Sequence, residues 1–278
     1  NVGQKQGDSS IAIGRSAGAG TDLSGQGDSS IAIGNNCAIS AQGSSAIAMG
    51  IYAGYISQGS TAVAIGSSAG RYSQSDSSIA IGLAAGHTDQ SYNAVAIGEN
   101  AGLTNQGGSS VVIGTSAGQN NQGGQCVAIG TNCQKNSSGE LSVAIGHTSG
   151  YDCGERAVAI GTLTGHQNMG NSGVAIGDQA GRYNQTDYTV AVGHLAGHNG
   201  QSTQSVCVGD GAGQVSAGAK SVLIGLDSGK ASTATNTTAI GARAGELGTT
   251  TNCVILNGKN AAFPTFGIAV GGFYVQPI

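Results

Sequence analysis

The chain has 278 residues, with 51 glycines, two prolines and no tryptophan. Charged residues make up only 9% and the net charge is −4, from 10 basic and 14 acidic residues. No basic run marks a nucleic-acid footprint, no stretch of 18 apolar residues marks a membrane span, and regularly placed β-branched residues argue against disorder.

From its first residues the chain is repetitive. Gln6-Gly7-Asp8-Ser9-Ser10 recurs as Gln26-Gly27-Asp28-Ser29-Ser30. Asn1 takes the place of an initiating Met, which reads as a mature or trimmed chain. The opening inside an ordinary loop carries the expectation of an upstream segment or neighbouring subunit joined end to end. A glycine-rich string, Gly18-Ala19-Gly20 to Gly25, is followed by no helical pattern, so it is not a nucleotide loop.

A tetrapeptide, Val/Ile-Ala-Ile-Gly, then sets the organisation. Its glycines include Gly14, Gly34, Gly50, Gly66, Gly82, Gly98, Gly114, Gly130, Gly146, Gly161, Gly177, Gly193, Gly209, Gly225 and Gly241. Nearly all intervals are 16; Gly14 to Gly34 is 20 and Gly146 to Gly161 is 15. Asn257 stands where the next glycine is due. A fixed short period with no 3.6-residue pattern predicts an all-β parallel β-solenoid, a β-roll of about 16 coils. At about 4.8 Å per coil the rod is roughly 75 Å long.

Positions are counted from the repeat glycine. Ile or Val stands three before it and Ile one before it, with Ala between, as in Val63-Ala64-Ile65. Alternation sends these to opposite faces of a strand. The expectation is that the large residues fill the coil as a dry core, so that Val143→Asp costs several kcal/mol. The Ala face, with Ala64, Ala80 and Ala96, is then expected to pack against other subunits. Ala-Gly pairs such as Ala69-Gly70 and Ala85-Gly86 suit a tight corner. Gln recurs eight after the glycine, at 42, 58, 74, 90, 106, 122, 185 and 201, with Gln26 in the same place. Stacked at one position, these amides predict a ladder.

Six cysteines follow the repeat. Cys37, Cys126, Cys133, Cys207 and Cys253 replace small residues, which predicts buried thiols; Cys153 is the sixth. No C-x-x-C occurs, so zinc is not expected. Cys37 and Cys133 are about 29 Å apart along the rod, too far for a disulfide. Cys126 and Cys133 share a coil. His87, His166 and His198 stand five after the glycine, a slot shared with Tyr55, Arg71, Lys135, Tyr151 and Arg182 and read as a variable, solvated face. Asp178, His194 and Asp210 follow the glycine on three successive coils, as a surface ladder or a weak metal site. Sequons start at Asn136, Asn184 and Asn236. No catalytic, cofactor or metal motif is present, so the chain is not expected to be an enzyme.

The end of the chain changes character. Phe263, Phe266, Phe273, Pro264 and Pro277 all lie there. Residues 1–257 read as the solenoid and 258–278 as an aromatic cap or junction over an open strand edge.

Segments such as Ser142-Val143-Ala144-Ile145-Gly146 resemble the head repeats of trimeric autotransporter adhesins, the YadA-like β-roll, along almost the whole chain. Phe273 to Ile278 resembles the segment before the intramolecular chaperone domain of phage and giant-virus fibre proteins. Both resemblances imply a homotrimeric, surface-exposed fibre with structural or adhesive duty; the expected partners are other copies of the chain and a host or surface ligand. Two other readings compete. An ice- or surface-binding solenoid needs a flat face of repeated Thr, and no slot is consistently Thr. A polysaccharide-acting enzyme needs paired carboxylates, and the acids are scattered.

Overall fold

The structure is a computed structural model and describes residues 6–20, 25–246, 249–257 and 273–276. Every regular element among them is a β-strand, most of three residues. The chain forms two compact units, Asn1–Leu141 and Ser142–Ile278. Each is a parallel β-solenoid, and the turns number about 15.

In the first unit the strands of the tetrapeptide pair in parallel and in register. Ile47–Met49 lies beside Val63–Ile65, then Ile79–Ile81, Val95–Ile97 and Val111–Ile113. A second sheet runs through Ser40–Gln42, Ile56–Gln58, Tyr72–Gln74, Thr88–Gln90, Thr104–Gln106 and Asn120–Gln122. In the second unit the first sheet continues the pattern from Val143–Ile145 to Val254–Asn257. Its counterpart of the second sheet is reduced to isolated bridges such as Cys153↔Met169 and Gln167↔Tyr183.

The irregular intervals are absorbed in one arc. Gly18 donates to Cys37 and Gln26 bridges Gln42, so the four extra residues fall between Gly18 and Gln26. Gly150 donates to Thr164 and Cys153 bridges Met169, so the missing residue falls between Gly150 and Cys153. The strand of the tetrapeptide keeps its register through both changes.

The core has the opposite parity to the expected one. Ala32, Ala48, Ala64, Ala80, Ala96 and Ala144 are completely buried. The flanking Ile and Val are half-buried or exposed; Ile113, Ile145, Ile176 and Ile224 each keep 37% of their surface. Val143, expected in the core, is half-buried on the outer face. The small face is therefore inside the coil and is not a subunit contact. The reason is the width of the lumen. A Cβ added to Gly86 would lie 2.6 Å from Gln90 Oε1 and 3.2 Å from Ala80 Cβ. A methyl and an extended glutamine already span the coil, so a continuous layer of β-branched Ile and Val does not fit beside them.

Where one interior slot shrinks, its neighbour grows. Ala217 stands in the glutamine slot, and the Ala slot of that turn holds Leu223, which is buried. Val112 takes an Ala slot in the turn that also holds Gln106, and there the run of amide-to-amide bonds stops: the Oε1 of the following Gln122 has no partner.

The glutamine ladder is present. Gln42, Gln58, Gln74 and Gln90 each donate from Nε2 to the Oε1 of the next, at 3.1–3.2 Å, ending on Gln106. A second short run joins Gln185 to Gln201 at 3.3 Å. Each Nε2 also reaches a backbone carbonyl, as Gln90 does to Ile79 at 2.9 Å. At Gly130 plus eight stands Ser138, and the buried Gln134, from the usual glycine slot, accepts from Gln122 at 3.1 Å instead. Cys153 and Met169 fill the slot with sulfur, 3.8 Å apart. We therefore expect Gln90→Met to cost about 1–3 kcal/mol in urea melts, for the ladder bonds it removes, and Gln90→Ala more, since only the latter also leaves a cavity.

Of the residues expected to form the C-terminal cap, 258–272, 277 and 278 lie outside the described residues, and with them Phe263, Phe266 and both prolines. Phe273–Gln276 pairs in parallel with Val254–Asn257. Phe273 and Val275 are 68% and 51% exposed, at the outward positions of the sheet.

Candidate functional site

Function has to come from what the turns present outward, because the interior is filled by packed side chains, chiefly Ala and Gln. The first outward feature is aliphatic. In the first unit Ile11, Ile13, Met49 and Ile113 are all exposed on one face of the first sheet. In the second unit Ile145, Ile176, Ile224 and Ile240 occupy the matching positions. In the sequence, the residues three and one before the glycine are Ile, Val or Leu in every repeat from Ile11 to Leu256 except at Met49 and Thr238. At about 4.8 Å per strand the eight strands of the first unit make a stripe roughly 38 Å long.

The second feature stands mainly five and six after the glycine, joined by Tyr52 two after Gly50. In the first unit the Tyr52 and Tyr55 ring centroids are 5.4 Å apart, Tyr55 and Tyr72 6.1 Å, and Tyr72 and His87 5.5 Å, all edge to face. The Arg71 guanidinium carbon lies 4.8 Å from the Tyr52 ring and 4.9 Å from Tyr72. In the second unit Tyr151 stacks on His166 at 5.2 Å, and Tyr183 meets His166 and His198 at 6.4 and 5.5 Å. The Arg182 guanidinium carbon is 4.8 Å from the Tyr183 ring.

The three histidines are thus half-buried in aromatic columns and not on a freely solvated face. Burial first, and then the neighbouring arginine, holds each below the usual imidazole range: Arg71 for His87, and Arg182 for His166 and His198. Asp152 partly opposes this at His166, and His194 adds to it at His198. All three rings are accordingly neutral at pH 7.

Asp178, His194 and Asp210 do meet. His194 Nδ1 is 2.8 Å from Asp210 Oδ1, and its Nε2 is 3.9 Å from Asp178 Oδ2. All three side chains are about half exposed, so the arrangement is a surface ladder of polar contacts of small energetic worth. Among the described residues no group of three or more His, Cys, Asp and Glu is arranged to hold a metal ion.

All six cysteines are buried. Burial pushes the Cys37 thiol up to about 11 and Cys207 to about 12, so neither supplies thiolate near neutral pH. Asn184 and Asn236, which begin two of the sequons, are exposed; Asn136 is half-buried.

Two open grooves lie among the described residues. One, of about 360 Å³, is lined by Ser57, Gln58, Ser73, Gln74 and Ser75 among others. The other, of about 460 Å³, is lined by Asn168, Asn184, Gln185, Thr186, Asp187 and Thr203 among others. Each includes the residue that follows the Arg-Tyr pair of its unit, Ser73 in one and Asn184 in the other. Reading the slots one at a time misses this pairing. Its signal is an octapeptide: Ala69-Gly70-Arg71-Tyr72-Ser73-Gln74-Ser75-Asp76 and Ala180-Gly181-Arg182-Tyr183-Asn184-Gln185-Thr186-Asp187 agree at six of eight positions.

The fold defines the class: a parallel β-solenoid repeat protein. No family model, curated protein or solved structure matches the chain.

Proposed function

We propose that this is a structural or adhesive fibre protein, exposed on a cell or virion surface, whose chains associate side by side as a parallel homotrimer. One observation carries the reading: the aliphatic stripe on the outside of the first sheet. Large contiguous apolar patches on soluble proteins mark association surfaces. The stripe recurs at the repeat period, so a second copy in the same register meets Ile and Val at every turn. It has two columns, at three and one before the glycine. A threefold ring lets each column meet a different neighbour, and closed cyclic symmetry leaves no stripe uncovered. The trimer expected through the Ala face is thus reassigned to the Ile/Val face. The resemblance to adhesin head repeats and to viral fibre proteins supports the same reading, including the extracellular or virion setting.

Multi-angle light scattering tests it. The expected mass is three times the 26.9 kDa of one chain. Ile65→Lys combined with Ile81→Lys and Ile97→Lys should give a monomer with an unchanged far-UV circular dichroism spectrum, because these side chains point out of the coil. A wild-type monomer at micromolar concentration would rule the assembly out.

A further inference from the structure

We infer that each Ala-Gly-Arg-Tyr-x-Gln-x-Asp turn carries a binding site for an acidic saccharide, one in each unit. The argument begins with what the octapeptide does for the fold. Ala69 and Ala180 are buried, and Gly70 and Gly181 take the left-handed corner at φ 52°. Gln74 and Gln185 belong to the ladder. Asp76 accepts from the Ser60 N–H at 2.7 Å, and Asp187 from Asn171 at 2.8 Å. Four of the six shared residues therefore have structural work. Arg and Tyr pack on one another and on neighbouring rings, but the turn does not require them: other turns place Leu103-Thr104 or Gln119-Asn120 in the same two slots and fold alike.

The surplus pair has the chemistry of a saccharide site. Aromatic rings offer faces to the C–H surfaces of a sugar, and guanidinium is the side chain that recognises planar anions. Neither Arg71 nor Arg182 forms an ion pair among the described residues. The Nε of each is buried without a partner. Arg182 donates from Nη1 to Gln179 Oε1 at 2.7 Å, which fixes its orientation without neutralising it. The groove that includes the residue following each pair presents hydroxyls and amides, Ser57, Ser73 and Ser75 in one unit and Asn184, Thr186 and Thr203 in the other. These are donors and acceptors suited to sugar hydroxyls. Nucleic acid fits less well: one cation per site in a chain of net charge −4 supplies little phosphate neutralisation. The site is built within single units, so it does not depend on trimer formation.

Calorimetric titration of the full chain tests the assignment, with six probes of matched size or charge. They are a heparin-derived hexasaccharide, hexagalacturonate, neutral cellohexaose, inorganic sulfate, galacturonate monomer and a single-stranded RNA hexamer. One of the acidic hexasaccharides should bind at two sites per chain and at least about tenfold more tightly than cellohexaose, as expected for one charge-assisted contact. Which one binds tells sulfate from carboxylate as the recognised group. Arg71→Gln with Arg182→Gln should lower that affinity about tenfold, and Tyr72→Leu with Tyr183→Leu by a similar factor, with circular dichroism unchanged. The inference is overturned if neither acidic hexasaccharide binds at millimolar concentration. It is equally overturned if the arginine variants bind as wild type, or if RNA or the small anions bind as tightly as the hexasaccharide.

Discussion

Ala80→Asp is expected to lower the melting temperature by about 10 °C, whereas Ile81→Asp leaves the fold of the single chain intact. Ala80 is completely buried and faces the side chain of Gln90 across the lumen. Both Nε2 protons of Gln90 are already directed to carbonyl oxygens, of Ile79 at 2.9 Å, Ala94 at 3.3 Å and the Gln106 side chain at 3.1 Å. An introduced carboxylate therefore finds no free donor and no water. Burial of an unpaired polar group costs several kcal/mol and that of a charge more. A solenoid turn is held only by its neighbours, so the lesion is felt first in the turns on either side. Ile81 is half-buried on the outer face, where Asp is solvated and acts on association instead. Thermal melts followed by circular dichroism, beside light scattering on the same samples, separate the two. Equal destabilisation by both substitutions would return the aliphatic residues to the core.

This pair also marks how far the sequence could be read. The period fixes the turn, the glycines fix its corners, and strand alternation divides each strand into two faces. All of that is local information, and it is correct here. Which face turns inward is not local. Hydrophobicity favours Ile and Val, but the lumen is set by the way the left-handed corners fold the turn. Beyond the glycines, Ser68, Ser73 and Ser77 take left-handed φ of 58°, 53° and 56° within one turn. Corners that close draw opposite walls together until a long side chain on one wall fits only beside a small one on the other in most turns. The glutamines gave a hint, because a buried ladder of long polar side chains leaves no room for a branched aliphatic layer beside it. The outward stripe follows from the same argument, and so its meaning changed from core to contact surface. The aromatic columns were harder to see, because they join residues five after one glycine to residues five or six after the next. Only the three-dimensional stacking of turns brings Tyr55, Arg71, Tyr72 and His87 together.

Gly98→Ala is expected to cost at least about 3 kcal/mol and to open the solenoid locally, while Gly124→Ala is nearly neutral. Gly98 has φ +129°, a region L-residues avoid, and this alone costs on the order of 1–3 kcal/mol for alanine. Space is the second obstacle. An added Cβ would lie 2.7 Å from the carbonyl oxygen of Gly114 and 2.8 Å from its carbonyl carbon, both backbone atoms that cannot rotate away. The relation repeats along the column, from Gly82 onto Gly98 and from Gly114 onto Gly130. To accept the methyl, one turn must move off the next, and the Gly98 N–H bond to Ile81, 2.8 Å long, is strained with it. Gly124 has neither constraint: its nearest backbone neighbour would be 3.4 Å away, an ordinary contact. Urea melts give the two stabilities. Hydrogen exchange then locates the effect, with faster exchange expected at the amides of Gly98 and Gly114 and unchanged exchange three turns away. If Gly98→Ala matched Gly124→Ala in both measurements, close backbone stacking would not be what demands glycine once in every 16 residues. The column ends where that demand ends. At Asn257 the side chain donates from Nδ2 to the Ala242 carbonyl at 2.8 Å, and the strand that pairs beyond it, Phe273–Gln276, places Gln276 opposite in the glycine's position.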